Sequence, residues 1–368
     1  MTESMHATGE AGAGDAIEAH ADRQRDSRQR AFWIGVAWLV ATLVAWNVAF
    51  FATGLWFTLW WLGLLGEFVL AVLIAERVGR IVPPRRRPIY ERTLAFGFPV
   101  LALVAWQLIV DAGILSATWF PQPTRIARAL WELTVSYDRF SHTSLFGRPW
   151  LVPEAFRQSG WQGAWSLIAE SHVWATLARV ASGFFLGAIP GILLGVVMGM
   201  NKTVRLMLDT TLSAIYVLPK IAIFPIVMLM FADPFGEGPK IMVVALAVFF
   251  LMTINSMAGV RDIDPVFLMA GRNYGARGFQ LLRHVIIPAA LPVIFAGLRL
   301  ALGTALIVII SVEFLRAKQG VGFITFYYWE VLSPEKMYAG LVVVMLLGIA
   351  LTYLLQWVQR RVMPWQRD

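Results

Sequence analysis

Five histidines, His6, His20, His142, His172 and His284, are the side chains best suited to metal binding or acid–base work, and no two of them stand at a ligand or nucleophile–base spacing. Cysteine is absent, so thiolate ligands, disulfides and Cys nucleophiles are excluded. No Gly-x4-Gly-Lys-Ser/Thr run occurs, so the chain is expected to bind no nucleotide. What remains is charge set inside apolar runs. Lys220 lies in Val217-Leu218-Pro219-Lys220-Ile221-Ala222-Ile223-Phe224-Pro225, flanked by two prolines that each remove a backbone donor and bend or break a helix. A Lys at the centre of a bilayer costs about 2.5–3.5 kcal/mol, so it must face protein or water. It either lines a solute path, with freed carbonyls beside a cation, or pairs with a carboxylate such as Glu313 or Asp209. Arg299 and Glu313 sit in one apolar run near its ends, where Arg can snorkel and Glu can reach water. Pro219, Lys220, Arg299 and Glu313 are the candidate translocation path.

The elements that must position these residues follow from composition. Of the 368 residues, 58% are apolar and 15% charged, with 16 Trp and 24 Phe, which is the make-up of a bilayer protein rather than a water-soluble one. A helix rises about 1.5 Å per residue, so a core of about 30 Å needs about 20 apolar residues. Eight stretches qualify: 31–51, 55–76, 94–115, 173–199, 209–231, 240–260, 292–315 and 339–359. With the N-terminus inside, the cytoplasmic segments carry more than twice as many Lys and Arg as the external ones, with Arg77, Arg80, Arg85, Arg86, Arg87 and Arg92 forming the densest cluster. The fold class is therefore an all-α polytopic membrane protein with both termini inside. The net charge of +8 is an orientation signal, which removes the nucleic-acid reading.

Residues 1–30 are polar and read as a disordered cytoplasmic tail. In the external segment 116–172, Pro121, Pro123 and Thr124 precede an amphipathic stretch, Arg125 to Val135, with Ile126, Leu130, Trp131 and Leu133 expected mostly on one side. Trp119, Trp131, Trp150, Trp161 and Trp165 recur there, as fits a helix in the membrane interface or a cap over the outer mouth. Gly183, Gly187, Gly191, Gly195 and Gly199 stand four apart, so one face of the fourth span is a stripe that lets another helix approach to backbone contact.

The cytoplasmic stretch 262–288 carries the most information. Asp264 can cap a helix with Pro265 at its first position; Gly275 and Gly278 break it; Phe279 to Ile287 begin a second helix that Pro288 and Pro292 mark off. Such a loop between two spans is shaped to dock on something in the cytoplasm. It resembles the cytoplasmic loop of permease subunits of binding-protein-dependent ABC importers, which reads Glu-Ala-Ala, three residues, Gly, then about nine residues to Ile-x-Leu-Pro. Met269-Ala270-Gly271 stands at the Glu-Ala-Ala position, with Met269 in place of the acidic residue; Gly275 is the glycine, and Val285-Ile286-Ile287-Pro288 closes the pattern. Trp174 to Gly199, Leu208-Asp209 to Pro225, Gly259-Val260-Arg261, Gly297-Leu298-Arg299, Glu313 and Phe120-Pro121-Gln122-Pro123 resemble the nitrate/sulfonate/taurine subfamily.

The resemblance implies a type I importer permease core of about six helices, over roughly 94–360, plus an added N-terminal hairpin. The domains are then a tail at 1–30, an accessory hairpin at 31–76, a basic linker at 77–93, a first core span with external insertion at 94–172 (the inserted part 137–165), the transmembrane domain at 173–360 and a cytoplasmic tail at 361–368. It implies a non-catalytic subunit of the inner membrane that pairs with a second permease copy, as a homodimer, and docks on a cytoplasmic ABC ATPase dimer through Met269, Ala270, Gly271, Arg272, Gly275 and Pro288. ATP and Mg would be held by that ATPase, with no cofactor or metal on this chain. An external substrate-binding protein would deliver a small solute, an anion if Lys220 lines the path. The alternatives are an ATP-independent secondary transporter or channel, for which Glu313 and Asp209 are the in-span and border carboxylates considered, and a membrane-embedded enzyme, for which no catalytic set is visible.

Overall fold

A computed structural model describes residues 32–80, 82–138 and 143–366. The expected tail at 1–30, the end of the one at 361–368 and part of the insertion at 137–165 lie outside the described residues. The helices group into two units that divide between Pro123 and Thr124.

The first unit holds α1 (Phe32–Ala52), the single turn α2 (Leu55–Thr58), α3 (Trp60–Gly79) and α4 (Arg87–Asp111). Gly54, at φ 68, makes the turn between α1 and α2, a conformation in which a Cβ would be strained. Aromatic rings close the hairpin: Trp46 and Phe50 lie 4.7 Å apart, Phe50 and Trp56 5.6 Å, and Gly63 and Gly66 on α3 leave room for the Trp56 and Trp46 rings. The expected span 55–76 is thus displaced: Leu59 interrupts it and the long helix runs from Trp60. Although α3 has 20 residues, Glu67, Glu76 and Arg77 leave it without an apolar stretch as long as those of the other spans. α4, which the resemblance counts as the first core span, groups with the hairpin and begins seven residues earlier than the expected 94.

The second unit begins with α5 (Pro123–Val135), a two-strand ladder of β1 (Tyr137–Asp138) and β2 (Thr143–Ser144) with Tyr137 opposite Ser144, and α6 (Val152–Ala169). The amphipathic reading of α5 needs one correction. Ile126, Ala129 and Leu133 form its buried face, but Trp131 is 70% exposed on the other.

The long helices follow: α7 (His172–Met200), the pair α8 (Lys202–Val217) and α9 (Lys220–Met228), α10 (Glu237–Arg261), α11 (Pro265–Asn273), α12 (Phe279–Leu281), α13 (Ile287–Arg316), α14 (Val321–Glu330) and α15 (Pro334–Val362). α7, α10 and α13 pack together and hold most of the buried residues, and α14 and α15 pack on them. Along the glycine stripe a Cβ on Gly183, Gly187, Gly191, Gly195 or Gly199 would lie 2.6, 2.2, 2.8, 2.5 or 2.6 Å from the nearest α10 atom, so the two helices are in close contact along the stripe.

Six helices are long and apolar enough to span among the described residues, and α8 with α9, bent by 96°, makes a seventh if the pair is one span, against the eight expected. Leu218 and Pro219 are both extended (ψ 135 and 115); at Leu218 the cause is the following proline, which disfavours helical backbone in the residue before it. A second correction falls at 279–292. Pro288 and Pro292 do not mark off a separate helix; Phe279–Leu315 is continuous, with Leu282–Ile286 in π register. Pro288 has no N–H for the carbonyl of His284, and the wider π turn accommodates the ring that an α turn would force against it.

Candidate functional site

Three places in the second unit collect the chemistry-bearing residues. The first is the loop around α11. The Asp264 carboxylate accepts from the Val266 N–H at 2.9 Å, capping a helix whose first residue is Pro265. At the other end Gly275, at φ 84, closes it: the Gly275 N–H reaches the Arg272 carbonyl at 2.9 Å and the Ala276 N–H reaches the Gly271 carbonyl at 3.0 Å. Those two bonds are the Schellman closure, which needs a left-handed residue at this point. Gly271 faces the body of the protein, since a Cβ there would meet Val285 at 2.9 Å. Val266, Phe267, Met269 and Ala270 are exposed on α11, Tyr274 is 93% exposed just past it, and no α11 residue is buried. Arg272 is exposed with them, while Pro288 lies beyond the π turn as the second residue of α13. α11 is therefore a short, capped, apolar ridge held out from the segment that the charge distribution puts inside the cell.

The second place is the break between α8 and α9. The Lys220 ammonium donates to the carbonyls of Tyr216 and Leu218, the latter at 2.9 Å, and lies 4.9 Å from the centre of the Tyr216 ring. Lys220 pairs with neither Glu313 nor Asp209, which corrects that expectation. It answers instead the carbonyls of Tyr216 and Leu218 at the break between the two helices. Its charge stays at a bend, on an exposed face.

The third place lies at the ends of α7, α10 and α13 that the charge distribution puts outside. Arg179 of α7 donates to Glu313 of α13 at 2.6 Å, to the Gln319 carbonyl at 2.6 Å, and through Nη2 to Glu237 of α10 at 2.8 Å, with its Nε on Glu237 as well. Lys240 donates to Glu237 at 3.0 Å. Glu313 also accepts from Thr176 at 2.9 Å and from the Gly322 N–H at 2.9 Å, while the Val321 N–H donates to Thr176 at 2.8 Å and the Gly320 N–H to His172 Nδ1 at 3.0 Å. Glu313 is 0% exposed, so it does not reach water as expected; Arg179 answers it inside the protein. Two cations and two carboxylates balance, and nearly every donor and acceptor is used, so the cluster clamps three spans and the entry to α14 together. Arg299 lies apart, donating to Gln359 of α15 at 3.1 Å, about 21 Å along α13 from Glu313.

The four residues expected to share a path are thus spread over three settings, and no two of Lys220, Arg299 and Glu313 share a bonding partner. Arg179, Glu237, Lys240 and His172 were not singled out from the sequence as members of a cluster. The usable signal was Arg179, a charge inside the apolar run 173–199, which has to find a carboxylate on another span. Among the described residues no three His, Cys, Asp or Glu converge as a metal-ligand set.

Residues 191–364 match the model of the family described as "Binding-protein-dependent transport system inner membrane component". The taurine transport system permease protein TauC of Escherichia coli (strain K12) is 28% identical over 300 residues, 81% of this chain and 99% of that protein. The nitrate import permease protein NrtB of Synechococcus elongatus is 28% identical over 271 residues, 72% of this chain and 88% of that protein. A "Probable ABC transporter permease protein" of Brucella abortus (strain 2308) is 30% identical over 198 residues, 53% of this chain and 77% of that protein. By these matches the chain belongs to the inner membrane components of binding-protein-dependent transport systems, as a permease of an ABC importer.

Proposed function

We propose that this permease pairs with a second copy of itself and is driven by a cytoplasmic ATPase dimer, which holds the ATP and Mg and seats α11 in a groove. An external binding protein hands over a small anion of the sulfonate, taurine or nitrate type. The observation that carries the docking reading is α11 itself. Val266, Phe267, Met269 and Tyr274 are exposed on the aqueous side of a membrane protein, on a helix fixed at both ends by a cap and a Schellman closure. An apolar ridge in water is a contact surface awaiting a partner. Met269, Ala270 and Arg272 would touch the ATPase, Gly271 and Gly275 would set the ridge's height and end, and Pro288 would anchor the return into α13. The anion reading is supported by Lys220, the cation at the α8–α9 bend, and by the names of the relatives.

The test is affinity purification from native membranes, comparing the native chain with Gly275→Glu. A glutamate has to adopt φ 84 and brings a charge to the ridge. A co-purifying ATPase that the variant loses supports the reading. An ATPase retained equally by both rejects the docking assignment, and absence of any ATPase under gentle solubilisation rejects the energy source.

A further inference from the structure

The docking ridge and the anion reading leave the first unit unused. Between α3 and α4 runs an open groove of about 1120 Å³. Phe68, Val72, Phe98 and Leu101 form its apolar walls, and Arg80 and Arg87 stand at one end. All four apolar residues are exposed, and nothing lies within 4 Å of a Cβ built on Gly97, so the groove is open along its wall. Tyr90 ties its head together, donating to the Ala75 carbonyl across the two helices.

Its dimensions and charge select an occupant. Twelve positions separate Phe68 from Arg80 and fourteen separate Arg87 from Leu101, about 18 and 21 Å along the helices. One leaflet of the hydrocarbon core is about 15 Å deep. A molecule lying in the groove with its charged end at the arginines would therefore reach the bilayer middle. Between residues 76 and 92 six arginines face two carboxylates, an excess of four positive charges on the cytoplasmic side. Glu76 and Glu91 do pair with Arg80 and Arg87, at 2.6 and 3.2 Å. Both pairs are exposed and one turn apart, a type that alters an equilibrium by only about two-fold, so a phosphate displaces them readily.

We propose that α3 and α4 form a site for one anionic phospholipid of the cytoplasmic leaflet, with its acyl chains along Phe68, Val72, Phe98 and Leu101 and its phosphate at Arg80 and Arg87. The accessory hairpin then has a physical role: it supplies one wall of a lipid site that α4 alone could not form.

The experiment purifies the full chain in neutral detergent, adds phosphatidylglycerol or phosphatidylcholine with identical acyl chains, and reads retained lipid by native mass spectrometry. Phosphatidylglycerol should be retained preferentially. Arg80→Gln with Arg87→Gln should weaken its retention by roughly five-fold for each arginine removed and weaken that of phosphatidylcholine, whose choline offsets the phosphate charge, much less. Gly97→Trp, with both arginines intact, should lower retention of either lipid by filling the groove. Equal retention of the two lipids by the native chain, or unchanged phosphatidylglycerol in the double variant, would overturn the proposal. So would displacement by inorganic phosphate alone, which would show a site for the free anion.

Discussion

Arg179 holds two carboxylates from two other spans, and Glu313 opposite it has no contact with solvent. Removing one partner of a buried pair strands the other charge, at a cost of about 3–5 kcal/mol, whereas removing both and filling the space with apolar atoms costs much less. Arg179→Leu should therefore lower the thermal unfolding temperature in detergent sharply. Arg179→Leu combined with Glu313→Leu should recover part of that loss, and a double variant as unstable as the sum of its parts would show that the two residues are not coupled. At this scale the sequence was legible where a residue's meaning is local. Gly275 and Asp264 could be read directly, because a helix cap involves only neighbours along the chain. The partners of Glu313 could not, since Thr176 and Arg179 lie 137 and 134 positions away.

The α7–α10 pair shows what spacing alone can establish about an element. Five glycines four apart mark a face for close approach, and the face meets Val244, Ala245, Phe249, Thr253 and Val260 of α10 in order. Gly187 is the tightest point, where a Cβ would lie 2.2 Å from the Ala245 carbonyl. Gly187→Leu should separate the helices and destabilise the protein by at least the ~1–3 kcal/mol of ordinary overpacking, read as a fall in unfolding temperature. Gly303→Ala in α13, where nothing lies within 4 Å, is the control and should change it little. The α8–α9 bend was likewise legible, through Pro219. Its 96° angle and the interruption of the second span at Leu59 were not, because each depends on what the neighbouring segment packs against.

For the whole molecule, charge and hydropathy sufficed to establish a polytopic membrane protein, and the resemblance centred on the 27-residue loop 262–288 pointed to the family and its inner-membrane location. Transport itself is the readout at this scale. If Lys220 lines the path of an anion, Lys220→Met should slow uptake of a labelled sulfonate in vesicles by an order of magnitude or so while leaving ATPase co-purification intact; electrostatic steering of this kind is worth about ten-fold or more in rate. Uptake at the native rate would remove Lys220 from the path. Loss of ATPase co-purification would instead place the residue in assembly.

α10 has a mechanical consequence that follows from its packing. It is 25 residues, about 37 Å, from Glu237 in the charge cluster to Arg261 at the threshold of α11. The glycine stripe of α7 braces it at close range from Gly183 to Gly199. If α11 is the docking ridge, a push on it would be passed along this braced pair toward the four-charge clamp at the other end of α10.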